Sequence, residues 1–162
     1  PDAPEFTALR EAFLAHYTAH ICDHTTLFPG MAELVATLEQ RGLSWGIVTN
    51  KPHRFTVPLM QRLGYGERAA CLVSGDTCAH AKPHPEPLLH AARLLDLAPG
   101  QCLYLGDDKR DMEAGRAAGM PTVIARYGYI DPQADLASWQ ADGSVDTPLG
   151  LLAHIETHSA LS

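Results

Sequence analysis

The sequence predicts an α/β fold in which a parallel β-sheet lies between layers of helices. Short apolar runs typical of buried strands alternate with segments whose apolar residues recur at helical spacing. The most informative stretch is 101–120, QCLYLGDDKRDMEAGRAAGM, where an apolar run ends at Gly106 and three aspartates precede an alanine-rich helix. Polar residues that follow a buried strand in this way are typical of ligand sites at the carboxyl edge of a parallel sheet.

The first half of the chain is predicted to contain three helices and two strands. Met31, Leu34 and Leu38 fall on one face of a helix that ends at Gly42. The run LSWGIVT is apolar enough for a buried strand and leads into a turn at Asn50. The predicted helices of this half are 4–21, 31–41 and 54–63, and the predicted strands are 43–49 and 71–74.

The second half continues the alternation and completes the sheet. Its predicted strands are 102–105, 122–125 and a short one around Val145, and its predicted helices are 85–96, the segment that ends at Gly119, 136–140 and 148–155. Right-handed crossovers place the carboxyl ends of parallel strands on one edge of the sheet. We therefore expect Thr49, the loop that carries Lys82, and residues 107–111 to converge at that edge.

Composition excludes several classes of protein. The chain has 162 residues, 46% of them hydrophobic and 19% charged, which suits one globular domain. A net charge of −7 leaves no basic surface for nucleic acid or an anionic membrane, and no apolar run approaches the ~20 residues that span a bilayer. Residues 1–10 do not resemble a signal peptide, and four cysteines without CxxC spacing indicate reduced thiols in a cytoplasmic protein.

Nine histidines raise the question of a zinc site. His16 and His20 stand four residues apart on a predicted helix, which is the spacing of a zinc-binding pair. The intervening Tyr17, Thr18 and Ala19 supply no catalytic glutamate. A solvated helix face is therefore the preferred interpretation of this pair.

Three chemical groups are predicted to meet at the carboxyl edge of the sheet. Thr49 offers a hydroxyl, and the backbone amide of Asn50 can bind an anion in the turn that follows. Lys82, in AKPHPEPL, is a cation suited to phosphate. Asp107 and Asp111 would repel each other unless a hard cation such as Mg²⁺ lies between them. The alternative is that these carboxylates only stabilise the N-terminus of the helix through its dipole. A hydroxyl, a lysine and magnesium together are what phosphoryl transfer requires.

The motifs that carry these residues resemble those of the haloacid dehalogenase superfamily of phosphatases. The similar segments are LFPGMAELVATLEQRGLSWGIVTNKP, SGDTCAHAKPHPEPLLHAARLL and CLYLGDDKRDMEAGRAAGMPTV. Within the superfamily the chain resembles the phosphoglycolate phosphatase group, while AHICDHTTLF, NKPHRF, RYGYI and SWQAD resemble phosphatases of N-acetylmuramic acid 6-phosphate. The fold implied is a Rossmann-like three-layer core at 27–162, preceded at 1–26 by the C-terminal part of an α-helical cap and its hinge.

The resemblance implies a role for each residue that matches a family motif. Thr49 corresponds to the phosphate-binding hydroxyl and Lys82 to the lysine of the third motif, and both would act in catalysis. Asn50 would offer its backbone amide to phosphate. Asp107 corresponds to the magnesium ligand, and Asp111 to the carboxylate that supports the metal or its waters.

One family motif has no counterpart in the sequence. The first motif, DxDGT, supplies a nucleophilic aspartate and an acid/base aspartate on the first strand of the family's sheet. The triplet Gly75-Asp76-Thr77 follows a different strand and lacks the preceding aspartate, so it is no substitute. In the family that first strand is central, between the strands that here end at Thr49 and Asp107. We therefore expect these two strands to be separated by a gap or by another segment.

The function implied by the resemblance is Mg²⁺-dependent hydrolysis of a phosphomonoester through an aspartyl-phosphate intermediate. The substrate would be a small phosphorylated metabolite, N-acetylmuramic acid 6-phosphate or 2-phosphoglycolate, and the protein a monomer or homodimer. Two alternatives stay open: a dehalogenase, which would need no magnesium, and a catalytically inactive fragment or binding module. Because the first motif is missing, we expect the 162-residue chain alone to be inactive.

Overall fold

The computed structural model describes residues 25–159, with side chains to Thr157, and before them only Leu9, Glu11, Leu14, Cys22 and Asp23. The predicted helix 4–21, with His16 and His20, therefore lies almost wholly outside the described residues, and the assignment of 1–26 to a cap stays a prediction. All four cysteines are free thiols, as predicted. None of the described helices is long and apolar enough to cross a membrane.

Helices and strands alternate along the described part of the chain as predicted. In order they are α1 (Met31–Gln40), β1 (Gly46–Val48), α2 (His53–Arg62), β2 (Cys71–Val73), α3 (Glu86–Leu94), β3 (Tyr104–Gly106), α4 (Lys109–Ala118), β4 (Thr122–Ala125), β5 (Gly143–Val145) and α5 (Leu151–Ser159). Helical segments are present where the sequence predicts them at 136–140 and 148–155, but Leu136–Trp139 and the start of the second, Pro148–Gly150, are 3₁₀ helices. The 3₁₀ geometry is frequent in such short isolated pieces and at the N-termini of α-helices.

Strands β1, β2 and β3 are shorter than their apolar runs predict, whereas β4 has the predicted bounds. β1 pairs in parallel with β2, with Gly46 opposite Cys71 and Val48 opposite Val73. β3, β4 and β5 form a second parallel sheet in the order β3-β4-β5. Among the described strands none joins the two sheets, so β1 and β3 are not hydrogen-bonded neighbours, as the family resemblance implies.

Helices cover both faces of the strands and enclose an apolar core on each side. Buried members are Leu34, Leu38, Val123, Val145 and Leu151 in the first core and Leu88, Ala92, Ala114, Ala118 and Met120 in the second. Leu103 and Leu105 face the first core, whereas Tyr104 faces the second. This alternation is that of a strand buried on both sides, and it confirms the three-layer α/β architecture.

A cavity of about 450 Å³ lies between β1 and β3. Gly46 and Val48 of β1 and Leu105 of β3 contribute to its walls, while Leu34 of α1 and Leu88 of α3 contribute from the two helical layers. The cavity therefore lies at the place where the family resemblance puts the first strand of the sheet.

Helix α4 approaches the second sheet closely at one glycine. A Cβ atom on Gly115 would lie 2.4 Å from Cγ2 of Thr122, which is fully buried on β4. The helix then ends at Gly119, whose φ of 76° is the left-handed conformation that favours glycine at a helix end, as the sequence predicts. The position of α4 fixes the direction in which Asp107 and Asp111 leave the sheet.

Gly115→Ala is expected to destabilise the protein although alanine is the better helix former. The added methyl group would overlap Thr122, and overpacking costs about 1–3 kcal/mol against a helix-propensity gain of about 1 kcal/mol. Chemical denaturation should therefore give a lower free energy of unfolding. Gly100→Ala is the matched control, because nothing lies within 4 Å of a Cβ built there. Equal stability of the two variants would contradict the close approach of α4.

Candidate active site

Lys82 lies at the carboxyl ends of β1 and β3 with its side chain only 9% exposed. Its Nζ donates to Oδ1 of Asp111 at 2.7 Å, to the hydroxyl of Tyr104 at 2.8 Å and to the carbonyl of Val48 at 3.0 Å. An ammonium group has three N–H donors, so all of them are used. Lys82 thus connects the loop after β2 to β1, β3 and α4.

Asp111 is the buried acceptor at the centre of this site, with 6% of its surface exposed. Oδ1 accepts from Lys82, and Oδ2 accepts from the backbone N–H groups of Asp107 and Asp108, each at 3.2 Å. Gly106 permits this arrangement, because a Cβ there would lie 2.4 Å from the Cβ of Asp111. The repulsion predicted between Asp107 and Asp111 is therefore relieved within the chain itself, by the ammonium group of Lys82.

Asp107 is placed to offer an oxygen to a metal ion. Oδ2 accepts the backbone N–H of Tyr129 at 2.8 Å, whereas Oδ1 has no donor among the described residues. The loop after β4 approaches closely at Gly128, where a Cβ would lie 2.3 Å from the Cβ of Asp107. Proteins bind Mg²⁺ through one or two carboxylates, with waters and substrate oxygens as the other ligands. The residues present therefore fit a magnesium ion held by the carboxylate of Asp107. Asp111 supports this position by accepting the backbone N–H of Asp107.

Two other aspartates near the site accept from the backbone at the starts of helices. Asp108 accepts the backbone N–H of Arg110 at 2.9 Å. Its side chain also pairs with the guanidinium of Arg110 at 2.6 Å, which holds the pKa of Asp108 below its usual value. Asp76 accepts the backbone N–H of His53 at 2.7 Å, at the start of α2. That the triplet of Asp76 is no substitute for the first motif stays a prediction.

The side chain of Asn50 joins the turn after β1 to the loop of Lys82. Nδ2 donates to the carbonyl of Lys82 at 2.9 Å, and Oδ1 accepts the backbone N–H of Lys82 at 3.0 Å. The sequence predicts a role only for the backbone amide of Asn50 and gives no signal for this clamp, the pair of hydrogen bonds between the Asn50 side chain and the backbone of Lys82.

The hydroxyl of Thr49 lies in the same turn. Thr49 Oγ1 accepts the N–H of Lys51 at 3.1 Å, so the hydroxyl hydrogen of Thr49 can be donated to an anion.

Tyr104 is a second site residue for which the sequence predicts no role, because it lies in a run that indicates only an apolar strand. Its hydroxyl accepts from Lys82 and donates to the carbonyl of Val48 at 3.2 Å. Burial, reinforced by the negative charge of Asp111, raises the pKa of Tyr104 well above its usual value, so the phenol stays protonated. The signal in the sequence is a tyrosine in a buried strand, because a buried hydroxyl needs a hydrogen-bond partner.

An aromatic cluster borders the site on the side of Asp107. The ring of Phe28 lies 5.3 Å from that of Tyr127 and 5.5 Å from that of Tyr129, measured between centroids. Tyr129 is 90% exposed. The hydroxyl of Tyr127 is buried and has no hydrogen-bond partner among the described residues. An exposed ring next to an anion site can contact the body of a bound substrate.

Comparison with known proteins places the chain among hydrolases. Residues 2–125 match the family model of haloacid dehalogenase-like hydrolases. The chain is 48% identical to N-acetylmuramic acid 6-phosphate phosphatase of Pseudomonas putida, over 97% of this chain and 70% of that protein. It is 47% identical to phosphoglycolate phosphatase of Xanthomonas campestris pv. campestris, over 91% of this chain and 66% of that protein.

Solved structures share the fold. A structure described as a predicted phosphoglycolate phosphatase of Haemophilus somnus superposes with a TM-score of 0.86 at 27% identity, covering 95% of this chain and 68% of that one. CbbY of Rhodobacter sphaeroides, solved in complex with phosphate, gives a TM-score of 0.81 at 23% identity and covers 96% of this chain and 70% of that one.

The buried pair of Lys82 and Asp111 should matter far more to stability than an exposed pair. Asp111→Ala leaves the ammonium group buried without a counter-charge, and we expect a loss of about 3–5 kcal/mol in the free energy of unfolding. Glu156→Ala is the matched control, because its ion pair with Arg41 is exposed and such pairs contribute about 0–1 kcal/mol. Urea unfolding followed by circular dichroism measures both variants. Similar losses in the two would show that the buried pair is not a main source of stability.

Proposed function

The chain belongs to the haloacid dehalogenase-like hydrolase family, and on that premise we propose that it hydrolyses small phosphate monoesters with Mg²⁺ as cofactor. The observation that carries the proposal is the meeting of Lys82, Asp107 and Asp111 at the carboxyl ends of the strands. A cation and two carboxylates at such an edge are the groups that phosphoryl transfer uses. The four free thiols support a cytoplasmic location. A monomer or homodimer stays a prediction.

The charge of the site explains why a divalent cation is needed. Lys82 contributes one positive charge and Asp107 and Asp111 one negative charge each, so these groups together are negative. A phosphate dianion would be repelled by that charge. Mg²⁺ held by Asp107 would reverse the sign and supply charge stabilisation for the transferring phosphoryl group.

The chain's own residues would bind and orient the phosphate. The bond from Lys82 to the Val48 carbonyl is the longest of its three hydrogen bonds. A phosphate oxygen can replace that carbonyl as the acceptor. Asp111 keeps the ammonium group oriented during this exchange. The hydroxyl of Thr49 and the backbone N–H of Asn50 are donors for further phosphate oxygens.

The nucleophile would come from a strand seated in the cavity between β1 and β3. A carboxylate at the end of that strand would attack phosphorus, and the departing alkoxide would take a proton from a second carboxyl group that is protonated beforehand. Water would then cleave the aspartyl-phosphate. The apolar walls of the cavity support this placement, because a strand there would be buried on both faces. Asp76, Asp108 and Asp111 are already engaged by backbone N–H groups or by Lys82.

For the substrate we favour N-acetylmuramic acid 6-phosphate over 2-phosphoglycolate. The relative with that substrate in its name is 48% identical over 97% of this chain. The exposed ring of Tyr129, next to Phe28, offers an apolar surface that a sugar ring can cover. A two-carbon acid has no ring with which to cover that surface.

Asp107→Asn should abolish Mg²⁺-dependent turnover, with a fall in kcat of at least ~10²-fold, while the free energy of unfolding changes little. The assay uses the chain preceded by a strand that carries the two aspartates of the first motif, because the 162-residue chain alone is expected to give no turnover.

Asp108→Asn is the matched control for Asp107→Asn, since asparagine keeps the helix cap and the partner of Asp108 is Arg110. Activity of Asp107→Asn within a few-fold of the unaltered enzyme would overturn the metal assignment. Turnover by the 162-residue chain alone would overturn the proposed origin of the nucleophile.

Tyr129→Ala should lower kcat/KM for N-acetylmuramic acid 6-phosphate by about tenfold, the scale of losing one aromatic contact, and leave 2-phosphoglycolate nearly unaffected. Tyr129→Phe keeps the ring and should behave like the unaltered enzyme. An equal fall for both substrates would remove Tyr129 from substrate selection. Turnover of neither compound, with good activity on another phosphate ester, would refute the substrate assignment.

A further inference from the structure

A second cluster of ligating side chains lies on the loop that carries Lys82, outside the phosphate site. His80 and His84 stand two residues before and two residues after Lys82, and Glu86 is the first residue of α3. Both histidines are exposed and Glu86 is half-buried, whereas the ammonium group of Lys82 is enclosed. The proposed phosphatase chemistry uses none of these three side chains.

We propose that His80, His84 and Glu86 form a binding site for a transition-metal ion of the Zn²⁺ type. One ligand atom from each of them, a ring nitrogen or a carboxylate oxygen, lies within 4.8 Å of the other two. Within the part of the chain that the structure describes, no other group of three histidine, cysteine or acidic side chains converges in this way.

Hydrogen bonds and ring stacking fix the three side chains relative to one another. Oε2 of Glu86 accepts the backbone N–H of His80 at 3.0 Å and lies 2.9 Å from Nδ1 of the same residue. The backbone N–H of Glu86 donates to Nδ1 of His84 at 3.2 Å. The two imidazole rings stack with centroids 4.3 Å apart and planes inclined at 26°. The cluster is thus partly ordered without an ion, which lowers the entropic cost of binding one.

The separation between His80 and Glu86 is close to the one that zinc needs. Bonds of about 2.0–2.1 Å in a tetrahedral arrangement put two ligand atoms about 3.3 Å apart. Nδ1 of His80 and Oε2 of Glu86, now 2.9 Å apart, need only a small opening to admit an ion between them. A ligand nitrogen of His84 lies within 4.8 Å of the other two ligand atoms, so a small adjustment of this exposed ring brings it to the same ion, and water can fill the fourth position.

The donor set decides which ion binds. Imidazole nitrogens favour Zn²⁺ and its neighbours, whereas Mg²⁺ prefers oxygen ligands alone. The cluster and Asp107 would therefore bind different ions and can be tested separately. An ion on the cluster would also restrain the loop on both sides of Lys82, and because it binds the folded chain it should raise the melting temperature.

The test is a titration of the untagged 162-residue chain with Co²⁺, a coloured substitute for Zn²⁺, in excess Mg²⁺. We expect one ion per chain, a visible absorption band of tetrahedral cobalt, and a rise in Tm on adding Zn²⁺. His80→Ala and His84→Ala should each weaken binding at least tenfold, the scale of losses at metal sites. Both residues are exposed, so neither substitution should disturb the fold.

Controls separate this cluster from other ligands in the chain. His53→Ala, the double variant His16→Ala and His20→Ala, and Asp107→Asn should all bind Co²⁺ as the unaltered chain does. Cys78→Ser should do the same, although Cys78 stands only two residues before His80. Unchanged affinity in His80→Ala or His84→Ala, or loss of binding in any control, would overturn the proposal. Competition by excess Mg²⁺ would also overturn it.

Discussion

The buried ammonium group of Lys82 is the contact on which the carboxyl edge of this protein depends. A charge taken out of water costs several kcal/mol unless it is paired and hydrogen-bonded, so Lys82 must be met by acceptors from the surrounding elements. Asp111 on α4, Tyr104 on β3 and Val48 on β1 meet that need. Because β1 and β3 do not pair with each other, these side-chain contacts connect the two sheets at the site itself. The same bonds therefore serve the fold and the proposed chemistry.

Much of the fold follows from local sequence, whereas the contacts of the site do not. Apolar spacing in α1 and the glycine after α4 are local signals, and the rule for parallel strands then brings Lys82 to the same edge as Asp111. The spacing of Asp107 and Asp111 predicts a positive charge beside Asp111, and a metal ion at this pair stays a prediction. Lys82 supplies that charge from 29 residues away. The clamp by Asn50 spans 32 residues and is equally invisible to local patterns.

The cavity between β1 and β3 restricts what can occupy it. Its walls are mostly apolar and come from both helical layers, so an occupant must be apolar on both faces. The carbonyl of Val48 is already covered by donors from Lys82 and Tyr104, which lowers the cost of an open strand edge at that end. A strand parallel to β1 would bring its C-terminal residues to Lys82. The direction that completes the sheet is thus also the one that brings a carboxylate to the phosphate site.

Loss of activity in a variant of Asp111 cannot by itself identify a metal ligand. Its carboxylate binds Lys82 and two backbone N–H groups, so removing it changes the cation, the strand end and the start of α4 together. Asp107 has fewer contacts to lose. Its Oδ2 accepts the backbone N–H of Tyr129, and its Oδ1 has no donor among the described residues. Replacing Asp107 by asparagine keeps one carbonyl oxygen and changes little besides charge. The variant Asp107→Asn is therefore the one that tests metal dependence. The role of Asp111 follows from comparing how its substitution changes the free energy of unfolding and the turnover.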